Sequence, residues 1–291
     1  MDVIYFIKSN LNLFLVLIAA LSLIVGSFLN VLIYRLPKMI QNEWNQECRE
    51  YLGLKHQPSE NDKLNLYLPL SHCTNCKKKL KPWHNIPLIS YIVLKGKCAY
   101  CKINISMRYP FVELLCCAAS VYVAWKFGFT WQTLGGLFFT WTIISLTFID
   151  IDTHLLPDQL TYLLIWTGLF LSLFNVFCNT NDAILGAIIG YLIFYLIQLL
   201  FKLLTGKIGM GQGDFKYLSG FGAFLGWQQL PLIILLASII GSIFGISQMI
   251  LKQQYKSTHM PFGPYLTVGG WISLIWGNEI LQMYLNYVVI K

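Results

Sequence analysis

The stretch Leu137-Phe-Phe-Thr-Trp-Thr-Ile-Ile-Ser-Leu-Thr-Phe-Ile-Asp150 decides the fold class. A long uncharged run, rich in Leu, Ile and Phe, ends on a carboxylate. An ionisable group at membrane depth is costly, so its presence there marks a functional site by default. A second acid has a comparable setting. Asp214 stands in Gly211-Gln-Gly-Asp-Phe-Lys216, behind Gly211 and Gly213 and just ahead of another apolar stretch. Two carboxylates that meet at such a boundary point to acid–base hydrolysis within or at the edge of a bilayer.

Composition agrees with this reading. Of 291 residues, 56% are hydrophobic and only 12% charged, with a mean hydropathy of +0.59. A soluble domain carries about 25% charged residues, so the chain is an integral membrane protein. Its apolar stretches are continuous rather than alternating, which indicates helices and not a barrel. The expected fold is an all-α polytopic membrane protein of about eight transmembrane helices with a small zinc-ribbon-like cytoplasmic insertion. The expected domains are a first span over 1–34, a basic cytoplasmic domain over 35–108, and a seven-helix membrane domain over 109–291 that carries the two aspartates.

The spans are drawn at 11–34, 109–126, 130–149, 159–177, 183–205, 215–227, 230–251 and 264–287. The first is too long for a signal-peptide core and lacks a basic leading segment, so it reads as a retained span. Residues 35–108 hold 13 of the 21 basic and 5 of the 13 acidic groups, a balance of +8 that equals the whole net charge. The positive-inside rule makes this loop cytoplasmic. Segments 150–158, 206–214 and 252–263 then fall on the same side, with Lys202, Lys207, Lys216, Lys252 and Lys256 on or near it, and both termini lie outside. Asp150 and Asp214 share one membrane face. The sixth span, at roughly 1.5 Å per residue, reaches about 20 Å against a hydrocarbon core of roughly 30 Å. Either Asp214 lies below the cytoplasmic surface or this segment is re-entrant.

Cys73-x-x-Cys76 and Cys98-x-x-Cys101, 21 residues apart, have the spacing of a structural four-thiolate zinc site. Two disulfides or a redox dithiol are the competing reading, disfavoured in a reducing cytoplasm. Cys48 needs no role, and Cys116, Cys117 and Cys178 sit in or beside apolar spans as small hydrophobes. Among the remaining acids, Asp158 follows Pro157 and reads as a helix-starting residue whose carboxylate satisfies free N–H groups. Asp150 and Asp152 point to nearly opposite sides of a helix, which leaves Asp152 and His154 in a wet turn. The glycines at 211 and 213 permit close approach of an extended peptide to Asp214. A flexible loop with a helix-capping Asp214 is the plain alternative.

With these motifs assembled, the chain closely resembles the bacterial type IV prepilin peptidases, members of the GxGD aspartic protease class. The resemblance extends over nearly the whole sequence. It rests on Gly26-Ser-Phe-Leu-Asn-Val-Leu-Ile-Tyr-Arg-Leu-Pro37, both cysteine pairs, Pro82-Trp-His-Asn-Ile-Pro-Leu-Ile-Ser-Tyr91, Gly96-Lys-Cys98 and Arg108-Tyr-Pro-Phe-Val-Glu113. It continues through Asp150 to Asp158, Gly211 to Lys216, and Pro261-Phe-Gly-Pro-Tyr-Leu266. The resemblance implies cleavage of the basic leader of type IV prepilins and type II secretion pseudopilins at the cytoplasmic face of the bacterial inner membrane. N-methylation of the new N-terminus by S-adenosylmethionine would follow. It implies that Asp150 and Asp214 are catalytic, that Cys73, Cys76, Cys98 and Cys101 bind Zn²⁺, and that Gly96 and Lys97 serve methylation. Thr74 and Lys77 depart from the proline and glycine common in the family, which puts the detailed turn in doubt. No Rossmann glycine motif locates the methyl-donor pocket.

Two other classes compete. A proton-coupled transporter could use the same acids as a relay, although no two-half repeat is visible and a zinc ribbon has no evident use there. A non-catalytic pilus-assembly scaffold could use the metal loop for recruitment. The basic loop suits topology and contact with anionic lipid rather than nucleic acid.

Overall fold

A computed structural model describes residues 2–54, 64–73, 75–81, 83, 86–252 and 260–289. The described residues are helical, with two isolated antiparallel bridges, His72 to Lys79 and Lys97 to Asn104. They divide into two compact units, Met1–Phe129 and Thr130–Lys291. Thr74, Pro82, His84, Asn85, Lys256 and residues 55–63 of the basic segment lie outside the described residues.

The first unit is built on α1 (Asp2–Ser9), α2 (Leu11–Tyr51), α3 (Ile89–Val93) and α4 (Arg108–Phe127). The apolar run expected to stop at 34 continues as helix to Tyr51. At about 1.5 Å per residue, α2 far exceeds the thickness of a hydrocarbon core. Its polar C-terminal part has no apolar stripe to limit it, and Pro37 removes one backbone hydrogen bond without ending the helix. α4 packs against α2 at Gly26, where a Cβ would come within 2.9 Å of the Glu113 Cα. Asn30 bridges the pair by donating to the Tyr109 carbonyl at 3.1 Å.

The second unit contains α5 (Trp131–Thr153), α6 (Asp158–Ser172), α7 (Thr180–Thr205), α8 (Gln212–Leu225), α9 (Leu230–Lys252) and α10 (Gly263–Val289). Side-chain caps start α5 and α7: Thr130 accepts from the Thr133 N–H and Asn179 from the Asp182 N–H. α8 is the centre. Apart from Lys216, every residue from Phe215 to Leu225 is buried. Glycines allow this enclosure. Gly168 of α6 meets the Ala223 and Phe224 backbone, Gly190 of α7 meets the Leu218 carbonyl, and Gly186 meets Gly222 backbone to backbone. Small residues serve helix contact in a membrane because water expulsion drives little there and close packing must act instead. Phe139 of α5 closes the core against Phe221 and Phe224, with ring centroids 5.5 and 4.8 Å apart.

Among the described residues, five helices are long and apolar enough to cross a membrane: α2, α4, α5, α7, and α9 with its preceding turn. The chain is thus a multi-pass membrane protein. The other expected spans coincide with α6, α8 and α10, which are not among those five. α6 has 15 residues and ends at Ser172 rather than at 177. α8 has 14 and ends at Leu225, where Gly226 takes a φ of 87° that other residues rarely adopt.

Candidate active site

Asp150 sits one turn from the end of α5, which continues past the expected boundary to Thr153 and closes on His154 in a left-handed conformation. Its side chain is 5% exposed. Asp152, two residues on, is exposed at the same helix end, as is His154. The Asp150 Oδ2 accepts the backbone N–H of Gly263 at 2.9 Å. Gly263 opens α10, and a Cβ there would lie 2.6 Å from that same oxygen.

Asp214 occupies the first turn of α8, with Gly211 as the N-cap residue. The Gly211 N–H interacts electrostatically with its carboxylate, as suits an acid in the first turn of a helix. The carboxylate also interacts electrostatically with Asp150. Leu156 organises the approach: a Cβ on Gly213 would lie 2.8 Å from the Leu156 Cβ, and one on Gly263 would lie 3.3 Å from its Cδ2. Two glycines, one beside each acid, fold around one leucine. Gly211 is exposed, and a Cβ there would meet only the Asp214 Oδ2, at 3.6 Å.

A half-buried hydroxyl chain joins α5, α8 and α10 nearby. The Tyr217 hydroxyl is 2.7 Å from the Thr267 Oγ1, which is 2.6 Å from the Thr147 Oγ1. Thr267 also donates to the Gly263 carbonyl at 3.0 Å. Tyr217 interacts electrostatically with both carboxylates. Sequence reasoning missed Thr147, Leu156, Tyr217 and Thr267 as site residues, and it used Gly263 only as part of a motif. The signal available for Thr267 was its position one helical turn after Gly263.

Asp158 begins α6 as expected, but its carboxylate makes no cap. Both oxygens instead accept from the Lys216 Nζ, at 2.7 and 2.8 Å. A charged donor on the neighbouring helix competes better for a carboxylate than neutral backbone N–H groups do.

In the first unit, the sulfurs of Cys73, Cys76, Cys98 and Cys101 lie within 4.8 Å of one another, and all four are free thiols. Tetrahedral Zn–S bonds of about 2.3 Å put ligand sulfurs about 3.8 Å apart; the Cys73 and Cys101 sulfurs are at 3.7 Å. The set fits one Zn²⁺. The two pairs are matching turns. Cys73 donates to the Lys78 carbonyl and Cys98 to the Ile103 carbonyl, while Lys77 and Lys102 donate back to Cys73 and Cys98. Lys77 and Lys102 take φ values of 52° and 59°. The turn put in doubt by Lys77 in place of a glycine has a left-handed conformation at that residue. The Ile103 N–H draws the Cys101 thiol down to about 6, and the Cys76 N–H lowers Cys73. Cys76 receives the Lys78 N–H, but lost hydration and neighbouring sulfurs push it up to about 11. Gly96 and Lys97 belong to the turn before the second pair: Gly96 has a φ of 69° and Lys97 is exposed and bridges to Asn104.

These features define a polytopic helical membrane protein with a carboxylate pair in one unit and a tetrathiol site in the other. The model for the bacterial peptidase A24 N-terminal domain matches residues 20–127, and that for the type IV leader peptidase family matches 137–246. Curated relatives share this similarity over full length. A prepilin leader peptidase/N-methyltransferase of Pseudomonas aeruginosa is 47% identical over 100% of both chains. One of Stutzerimonas stutzeri is 46% identical over 97% of each, and one of Neisseria gonorrhoeae is 47% identical over 93% of each. No solved structure matches. The chain belongs to the type IV leader peptidase family.

Proposed function

We infer that the protein is a prepilin leader peptidase and N-methyltransferase. It cleaves the basic leader of prepilins and pseudopilins and then methylates the new N-terminus with S-adenosylmethionine as donor. Full-length similarity to enzymes of that name supports both activities. The observation that carries the peptidase chemistry is the approach of Asp150 and Asp214 around Leu156.

Asp150 and Asp214 are the catalytic pair in this reading. Two carboxyls close together away from water do not readily ionise together, so they hold one proton between them and titrate as a unit. The ionised member takes a proton from water as its oxygen attacks the scissile carbonyl. The protonated member donates to the carbonyl oxygen. Collapse of the tetrahedral intermediate breaks the carbon–nitrogen bond, and the leaving amine takes up a proton. The Gly263 N–H fixes the Asp150 Oδ2, leaving its other oxygen for this work. Gly211 and Gly213 leave room for an extended peptide beside Asp214.

The four cysteines would hold one Zn²⁺ as a structural cross-link for the basic segment 35–108. Charge bias supports a cytoplasmic location for that segment, hence cleavage at the cytoplasmic face of the bacterial inner membrane. The eight-span topology and the division at 34 and 108 belong to the same proposal. Anionic lipid is the expected surface for the basic loop.

The test mixes purified protein with prepilin and resolves the products by mass, with methyl-labelled donor added in parallel. Release of the leader by wild type, and none by Asp150→Asn or Asp214→Asn, is the expected result. Full cleavage by either variant would remove the assignment.

A further inference from the structure

The first unit encloses a cavity of about 460 Å³, bounded by α2, α3, the start of α4 and the cysteine turns. Small-molecule sites span about 300–1,000 Å³ and combine apolar walls with a few convergent polar groups. None of the carboxylate-pair residues lines this space. Its walls include three polar side chains that are more than nine-tenths buried: Asn30, Arg35 and Glu113.

Arg35 and Glu113 do not neutralise each other. The Arg35 guanidinium donates to the backbone carbonyls of Asn65, Leu66 and Pro69, the shortest of these bonds being 2.6 Å. Glu113 accepts the Leu88 N–H at 2.9 Å. Leu88 has a φ of 57° with a ψ of −48°, conformations that persist only where the surroundings enforce them. Among the described residues no ion pair joins the two charges. A buried carboxylate held by neutral donors carries a large desolvation cost, and a cation entering the cavity offsets it. The Tyr91 and Tyr109 rings line the same space, and aromatic faces attract cations.

Gly96, in the turn before the second cysteine pair, packs against one wall residue of this cavity. It does not line the cavity, but a Cβ there would fall 2.9 Å from the Tyr91 Oη and 3.0 Å from its Cζ. Its φ of 69° adds backbone strain to any replacement. Gly96 thus acts as a positioning residue for the Tyr91 ring.

We propose that this cavity is the binding site for the methyl donor, a sulfonium-bearing nucleoside–amino acid, with Glu113, Tyr91 and Tyr109 facing its positive sulfur. The proposal rests on the methyltransferase reading. Transfer breaks the methyl carbon–sulfur bond and forms a nitrogen–carbon bond on the substrate amine. It leaves a neutral thioether and releases one proton from nitrogen. Glu113 and the rings therefore favour the charged donor over its neutral product, which eases product release.

Two measurements on the full-length purified protein test this. Ultraviolet cross-linking of radiolabelled S-adenosylmethionine to the unmodified chain, followed by peptide mapping, should place the adduct within residues 86–113. Equilibrium binding should show Glu113→Gln weakening the donor about tenfold and S-adenosylhomocysteine no more than about twofold. Gly96→Val should weaken both ligands. Metal content and thermal melting monitor folding of the variants, and the cross-link needs no variant. If wild type binds the donor but the adduct maps to the second unit, or Glu113→Gln weakens both ligands equally, the cavity assignment is overturned and the methyltransferase reading stands. If wild type binds no donor, both are overturned.

Discussion

The Gly263 N–H donates to the Asp150 Oδ2 at 2.9 Å and thereby ties the start of α10 to the end of α5 across 113 positions of sequence. The absence of a side chain at Gly263 is as important as its N–H, because a Cβ would sit 2.6 Å from the bonded oxygen. Gly263→Ala should therefore displace the Asp150 carboxylate. Leader cleavage is expected to fall at least tenfold, about 1.4 kcal/mol of barrier, with little change in the melting midpoint. Cleavage within twofold of wild type would show that Asp150 needs no such anchor.

The carboxylate pair should behave as a unit. Asp150→Asn and Asp214→Asn are each expected to abolish cleavage, and the double variant should be no worse than either single one, since groups acting together are strongly non-additive. Single-turnover assays on purified prepilin distinguish this from independent contributions, in which the losses multiply.

Tyr217→Phe removes one hydroxyl from the Tyr217–Thr267–Thr147 chain and leaves Thr267 bonded to Thr147 and to the Gly263 carbonyl. A lost hydrogen bond costs about 1 kcal/mol, so the folded protein should persist. Cleavage should drop several-fold because Tyr217 interacts electrostatically with both carboxylates. An unchanged rate would make the hydroxyl chain purely structural.

Gly186 and Gly222 meet backbone to backbone between α7 and α8. Gly186→Leu should force these helices apart, lower the melting midpoint markedly and cost cleavage, although Gly186 belongs to no catalytic group. Wild-type melting in detergent would contradict the close packing.

The tetrathiol site gives two opposed expectations. Any one of Cys73, Cys76, Cys98 or Cys101 changed to Ser should lower metal content from about one zinc per chain, read by elemental analysis. Lys77→Gly should instead stabilise the apo turn by roughly 0.5–1 kcal/mol, because a left-handed φ of 52° is unfavourable for lysine and free for glycine.

Much of the second unit was legible in the chain. The apolar runs mark α5 to α10 to within a few residues, and the two acids picked out from local context interact electrostatically in the fold. Less visible was the continuation of α2 to Tyr51, since a polar helix outside the apolar run has no hydropathy edge to announce it. Asp158 was misjudged in detail because its partner, Lys216, lies on another helix.

The sequence alone determined the membrane class, the helical character and the thiol spacing, and it singled out the two acids proposed as catalytic. Each is a local property: bilayer thickness sets the length of an apolar run, and metal geometry sets the spacing within a cysteine pair. Tertiary structure decided which N–H anchors Asp150, that Leu156 lies between two glycines, and that Tyr91 leans on Gly96. Those relations join segments distant along the chain, and their register follows from side-chain packing that no local pattern encodes.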